Sequence, residues 1–156
     1  MTPSPRVLAT VILLAAWLGA ALLVTAVVAP AAFAVLPSRT LAGTMVGRVL
    51  PAVFASGMAV GIVAIVVAAL DKASLLALAT ATLSTASCAV AQFVINPRIA
   101  ALRLAIAGPV EALPQQDPRR VAFGALHGYS VGGLGVAMLS AGTCLVILVL
   151  ALRPRS

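Results

Sequence analysis

Charge is nearly missing from this 156-residue chain: Asp, Glu, Lys and Arg make up 8% of it, where soluble domains carry about 25%. So few charges cannot cover a globular fold in water, which excludes an ordinary soluble domain. Acid is scarcest. Asp71, Glu111 and Asp117 are the three acidic residues, and none lies inside a long apolar run, so a proton relay through buried carboxylates is not expected. Histidine occurs once, at His127, which excludes bis-histidine haem within one chain. The two cysteines, Cys88 and Cys144, differ in depth by roughly 20 Å if their helices pack side by side. A disulfide needs Cα atoms within about 7 Å. No HExxH or phosphate-binding glycine loop is present, and Gly128-Tyr129-Ser130-Val131-Gly132, which has the GxSxG spacing, lies inside a long apolar run rather than at a strand-to-helix turn, so no catalytic residue is assigned. No metal site and no cofactor is expected.

What is present is four runs without Asp, Glu, Lys or Arg: Val7–Ser38, Val49–Leu70, Ala73–Pro97 and Val121–Leu152. A bilayer core is roughly 30 Å thick and takes roughly 20 helical residues to cross. The reading is an all-α integral membrane protein, a single four-helix bundle over residues 1–156. Its helices are expected at about 7–36, 49–70, 73–96 and 121–152. The first run is too long for a signal-peptide core despite its Ala32-Phe33-Ala34 site, and is read as a retained helix. Pro30 and Pro97 should interrupt helices 1 and 3, and Pro51 should fall in the first turn of helix 2. Asp71-Lys72 reads as a tight turn that makes helices 2 and 3 antiparallel neighbours. Residues 98–120 form the third loop, with an interfacial helical segment to Ala107. Trp17 lies mid-run and should pack against a neighbouring helix. An internal echo pairs Val28-Ala29-Pro30, ahead of Phe33 and Leu36, with Ile95-Asn96-Pro97, ahead of Ile99 and Leu102.

Net charge is +7, but the basic residues sit singly or in pairs at the ends of apolar runs, as snorkelling side chains do. They form no stripe interleaved with aromatics, so nucleic acid is not an expected partner. An even helix number places Arg6, Lys72, Arg153 and Arg155 at one end and Arg39, Arg48, Arg98, Arg103, Arg119 and Arg120 at the other. The second end, with loops 1 and 3, is favoured as cytoplasmic. Lysine occurs only at Lys72. That bias, with abundant alanine, suggests a GC-rich bacterial genome and hence the inner membrane.

Helix 3 carries Thr80, Thr82, Ser84, Thr85, Ser87 and Gln92, which suit contact with other helices better than lipid. Gly57 and Gly61 in helix 2, and Gly124, Gly128 and Gly132 in helix 4, have the four-residue spacing that lets helix backbones approach. The expectation is packing inside the bundle, with a dimer face on helix 4 as the alternative. On helix 4, His127, Ser130, Leu134 and Met138 should share a face. Arg48, Asn96, Arg98, His127, Tyr129 and Ser130 form the candidate binding cluster, all at the loop 1/loop 3 end. Juxtamembrane polar residues are functional candidates because leaving them unpaired is costly. The cluster is cationic, so an anion suits it, and a phospholipid headgroup is the nearest one. The competing reading is that these arginines only anchor to headgroups.

The order of features resembles the transmembrane protein 205-like family, also called domain of unknown function 4149. The resemblance rests on Trp17-x-Gly19, Ala29-Pro30 with Phe33, and Leu36-Pro37-Ser38-Arg39-Thr40 with Gly43. It continues with Phe54, Asn96-Pro97-Arg98 with Leu102-Arg103, and Phe123 with Leu126-His127-Gly128-x-Ser130. It implies four membrane helices and no settled activity. A looser resemblance is to the anthrone oxygenase-like family. Three functions compete. The first is a non-enzymatic bundle that binds lipid or a partner. The second is a small oligomeric transporter or exporter, and the third a cofactor-free membrane enzyme with His127 as base.

Overall fold

The computed structural model describes residues 4–106 and 108–152. Ala107, Arg153 and Arg155, used above for the interfacial segment and for the count of flanking charge, lie outside the described residues. Four helices are long and apolar enough to cross a membrane: α1 (Pro5–Val35), α2 (Arg39–Leu70), α3 (Leu75–Ile106) and α4 (Pro118–Ala151). No strand occurs among the described residues. The chain is a multi-pass helical membrane protein.

Each helix packs on its sequence neighbours, and α4 closes the ring by packing on both α3 and α1. The turn between α2 and α3 is tight, as expected, with Lys72 at φ 49°. The joint of the bundle is Trp17. Its ring is 5% exposed, and its Nε1 donates to the Val53 carbonyl at 2.9 Å. The ring lies against Gly57, where a Cβ would meet Trp17 Cζ2 at 2.7 Å and Cys88 Sγ at 2.8 Å. One missing side chain thus lets α1, α2 and α3 meet at a point. Gly61 accepts Thr85 of α3 in the same way. Between α3 and α4, the Ser84 hydroxyl donates to the Ala137 carbonyl at 3.0 Å.

Helix 2 starts ten residues earlier than expected, at Arg39 rather than Val49. Charge was the wrong marker of its end, because a helix begins where its first N–H groups find acceptors. Here Ser38 accepts from Leu41 N, and Glu111 accepts from Thr40 N. Pro51 therefore falls inside the helix, not in its first turn. Helix 4 likewise starts at Pro118 rather than Val121, capped by Asp117, which accepts from Arg119 N at 2.9 Å.

Helix 3 does not end at Pro97 but runs on to Ile106. The interruptions at Pro30 and Pro97 are π turns rather than breaks: Val24–Val28 and Ala91–Ile95. In each, the residue before proline donates five residues back, Ala29 to Val24 and Asn96 to Ala91. The widened turn carries the ring through with the chain still helical. The sequence echo thus corresponds to one local device used twice.

Two packing expectations are corrected. Gly124, Gly128 and Gly132 lie on the exposed side of α4, with nothing within 4 Å of a Cβ built on any of them. The inner face of α4 is set instead by Ser130, Leu134, Ala137, Ala141, Cys144 and Leu148. Thr82 of α3 is exposed rather than turned to a helix. Its hydroxyl donates to the Leu78 carbonyl one turn back, which lets it face outward without an unpaired donor.

Candidate functional site

Helices of 31 to 34 residues reach about 48 Å at 1.5 Å per residue, well beyond the bilayer core. At the end that holds loops 1 and 3, the surplus turns of α2, α3 and α4 stand around a half-open groove of about 800 Å³. Each helix contributes one face. From α2 come Thr40, Thr44, Gly47 and Pro51, from α3 Gln92, Asn96, Ile99 and Arg103, and from α4 Arg120, Phe123, His127 and Ser130. These spacings of three and four residues are what one helical face presents. Pro51 has no N–H for the Gly47 carbonyl one turn back, so the ordinary helical bond is missing at the groove's wall.

Of the six expected binding residues, the groove brings together Arg48, Asn96, His127 and Ser130. Arg98 is exposed and not among the lining residues, and Tyr129 is 66% exposed on the outer side of α4. Both are off the inward stripes of their helices: Arg98 falls between Asn96 and Ile99, and Tyr129 next to Ser130. His127, Ser130, Leu134 and Met138 do share a face, and all four line a second cavity beside the groove.

Sequence reasoning missed Arg39, Gln92, Arg103, Glu111 and Arg120 as lining residues. The signal for Arg103 was present in the series 92, 96, 99, 103, but it is a signal only if α3 continues past Pro97. Arg103 is half-buried and holds the groove's floor. Its Nη1 donates to Thr44 Oγ1 and its Nη2 to the Gly43 carbonyl, both at 3.0 Å. Its guanidinium also lies 5.3 Å from the centroid of the Phe123 ring, a cation–π distance. Thus one arginine ties α3 to α2 and α4. Gln92 and Asn96 are bonded to each other across the π turn at 3.3 Å.

Loop 3 closes one side. Glu111 Oε2 accepts from Thr40 Oγ1 at 2.6 Å, and Oε1 from Thr40 N at 3.2 Å. The Thr40 hydroxyl is the largest cause holding the Glu111 carboxyl below its ordinary value, and Arg39 adds to it. Arg120 turns back to the loop and donates to the Leu113 carbonyl at 2.6 Å. Asp117 is likewise held below its usual range, chiefly by its hydrogen bond from the Arg119 side chain.

The groove's electrostatics follow from which cations are already engaged. Arg103 and Arg120 are committed to the fold. Among the described residues, the one ion pair is Arg119–Asp117, at 2.9 Å. Arg39 and Arg48 are exposed and in no ion pair, so their charge is turned to the groove and its surroundings. Glu111 is the only acid lining the groove. Among the described residues, no three His, Cys, Asp or Glu side chains gather where they could hold a metal ion. The groove thus gathers two guanidinium groups that are in no ion pair among the described residues, Arg39 and Arg48, with an imidazole and two side-chain amides, and Arg39 also acts on the Glu111 carboxyl.

A family model described as Domain of unknown function (DUF4149) matches residues 12–107, more than half of the chain. The match takes in α1, α2 and α3, and so two of the groove's three walls. No curated protein and no solved structure matches the chain.

Proposed function

The chain belongs to the DUF4149 family, whose function is unknown, and from that premise we propose that it is a non-enzymatic membrane protein that binds an anionic lipid headgroup. One observation carries the reading. Among the described residues, Arg39 and Arg48 are in no ion pair, and they line a groove whose remaining arginines are tied into the fold. A phosphate suits such a place because it takes charge-assisted hydrogen bonds from a guanidinium, and juxtamembrane basic residues attract anionic headgroups. The finer likeness to the transmembrane protein 205-like family rests on the ordered motifs from Trp17 to Ser130. Arg39, Arg48, Arg98, Arg103, Arg119 and Arg120 all flank loops 1 and 3, which supports placing those loops in the cytoplasm. The arginine-rich, lysine-poor composition supports a bacterial inner membrane.

Native mass spectrometry of the full chain, released from micelles doped with phosphatidylglycerol or phosphatidylcholine, tests this. Wild type should retain the anionic lipid preferentially, and Arg39→Ala/Arg48→Ala should lose at least about tenfold of that retention. Arg98→Ala, which alters an outward arginine, should keep it. Equal retention of both lipids, or an unchanged double variant, overturns the proposal.

A second reading, a small oligomeric transporter, has one observation in its favour: the outward Gly124, Gly128 and Gly132, open to a second copy. A protein that stays monomeric in nanodiscs across protein concentration, with no flux in vesicles, removes it.

A further inference from the structure

The polar groove adjoins an apolar cavity. That second cavity, of about 340 Å³, lies between the π turn of α1 and the middle of α4. Phe33, Val46, Leu50, His127 and Ser130 line both, so the two share a wall. Past that wall the lining is Val24, Ala29, Val131, Leu134, Gly135 and Met138, with Thr25 the one further polar residue. The Thr25 hydroxyl donates to the Ala21 carbonyl at 2.8 Å, which leaves little but hydrocarbon facing the space. From His127 to Met138 the cavity follows α4 for about 16 Å at 1.5 Å per residue, the reach of a medium alkyl chain. Its volume is at the low end of ligand cavities, roughly 300–1,000 Å³, with room for one chain rather than two.

We infer that groove and cavity form one bipartite site for a single-chain phosphate-bearing lipid, with the phosphate held among Arg39, Arg48 and His127 and the chain lying along Val131, Leu134, Gly135 and Met138. The inference rests on the headgroup reading above and adds the tail and its number. The two halves have complementary chemistry in the order such a molecule needs. The cations stand at the bundle's end, and the apolar space continues from them along the same helix face. Gly135 has nothing within 4 Å of a built Cβ, so the cavity approaches α4 to its backbone there.

The test uses the full chain in neutral micelles with lysophosphatidylglycerols of increasing chain length. Lysophosphatidylcholine serves as the neutral-head control and glycerol phosphate as the headgroup alone. For wild type, each added methylene should strengthen retention roughly fourfold until the cavity is full. Gly135→Leu places a side chain in the cavity and should flatten that dependence, with at least a tenfold loss for the longer chains. Competition by glycerol phosphate should be unchanged. Val131→Phe, altered at an exposed lining position, is a second filling variant and should do the same, while the wild-type chain-length series needs no variant. If both filled variants keep the wild-type dependence on chain length, the tail does not enter the cavity and only the headgroup reading stands. If wild type retains the anionic and neutral-head series alike, both readings fall.

Discussion

Gly57→Ala tests the joint on which three helices meet. The added Cβ would lie 2.7 Å from Trp17 Cζ2 and 2.8 Å from Cys88 Sγ, where carbon contacts are comfortable at about 3.5–4.0 Å. The indole cannot swing aside freely, because that would break its bond to the Val53 carbonyl. Phe54 and Cys88, both fully buried, leave no slack nearby. Overpacking costs about 1–3 kcal/mol and a lost hydrogen bond about 1 kcal/mol. The better helix propensity of alanine offsets about 1 kcal/mol. The expected net loss is about 2 kcal/mol, a factor of roughly 30 in the folded-to-unfolded ratio. Gly124→Ala has the same chemistry with no neighbour within 4 Å, so only the propensity gain remains and the change should be neutral or slightly stabilising. Trp17→Phe with Gly57→Ala should cost less than the two single changes added, since the smaller ring makes room. Unfolding in mixed micelles of rising dodecyl sulfate, followed by far-ultraviolet dichroism, measures all four, and emission from Trp17, the only tryptophan, is a second probe in the two variants that keep it. A Gly57→Ala protein as stable as wild type with unchanged emission refutes the joint. Equal loss at Gly124 would show that the outer stripe of α4 is packed after all.

Three further outcomes are expected. The depressed Glu111 carboxyl means that the unfolded chain binds its proton first as pH falls, so its contribution is complete above the ordinary carboxylate range and is lost as pH drops through the lower folded value. Amide exchange at Thr40, whose N–H Glu111 accepts, should therefore lose protection as pH falls below the ordinary carboxylate range, and Glu111→Gln should weaken it at neutral pH; exchange that follows only its intrinsic pH dependence would contradict this. Arg103→Ala removes two hydrogen bonds and the contact with Phe123 and should cost about 2–4 kcal/mol in the same unfolding assay. Arg103→Lys should restore little, because an ammonium lacks the flat fork that spans Gly43 and Thr44. Cys88 and Cys144, both fully buried and free, should resist a bulky maleimide until the protein is unfolded, and modification of the folded protein at the unfolded rate would place at least one of them at the surface.

Chain composition alone determines that this is a four-helix membrane protein, because a backbone in hydrocarbon must bond internally and only long apolar helices do so within one segment. The Trp17 contact, the α2–α3 turn and the two proline sites were also legible, each being a local property of a few neighbouring residues. Helix ends were not. The charge-free runs mark where lipid ends, while the helices end where capping groups stand, and one of those groups, Glu111, comes from 71 residues away. The candidate site inherits that error. Arg48, Asn96, His127 and Ser130 could be grouped by depth, but depth does not say which way a side chain points, so Arg98 and Tyr129 were grouped with them. Arg103 appears on the groove face only if the helix passes Pro97, and a π turn, not a residue type, decides that. The glycines show the same division. Their spacing announces close approach, but only the tertiary structure shows that Gly57 and Gly61 receive Trp17 and Thr85 while Gly124, Gly128 and Gly132 face outward. Which face of a membrane helix turns inward is set by the fit of its partners, and apolar residues all round give the sequence no gradient from which to read it.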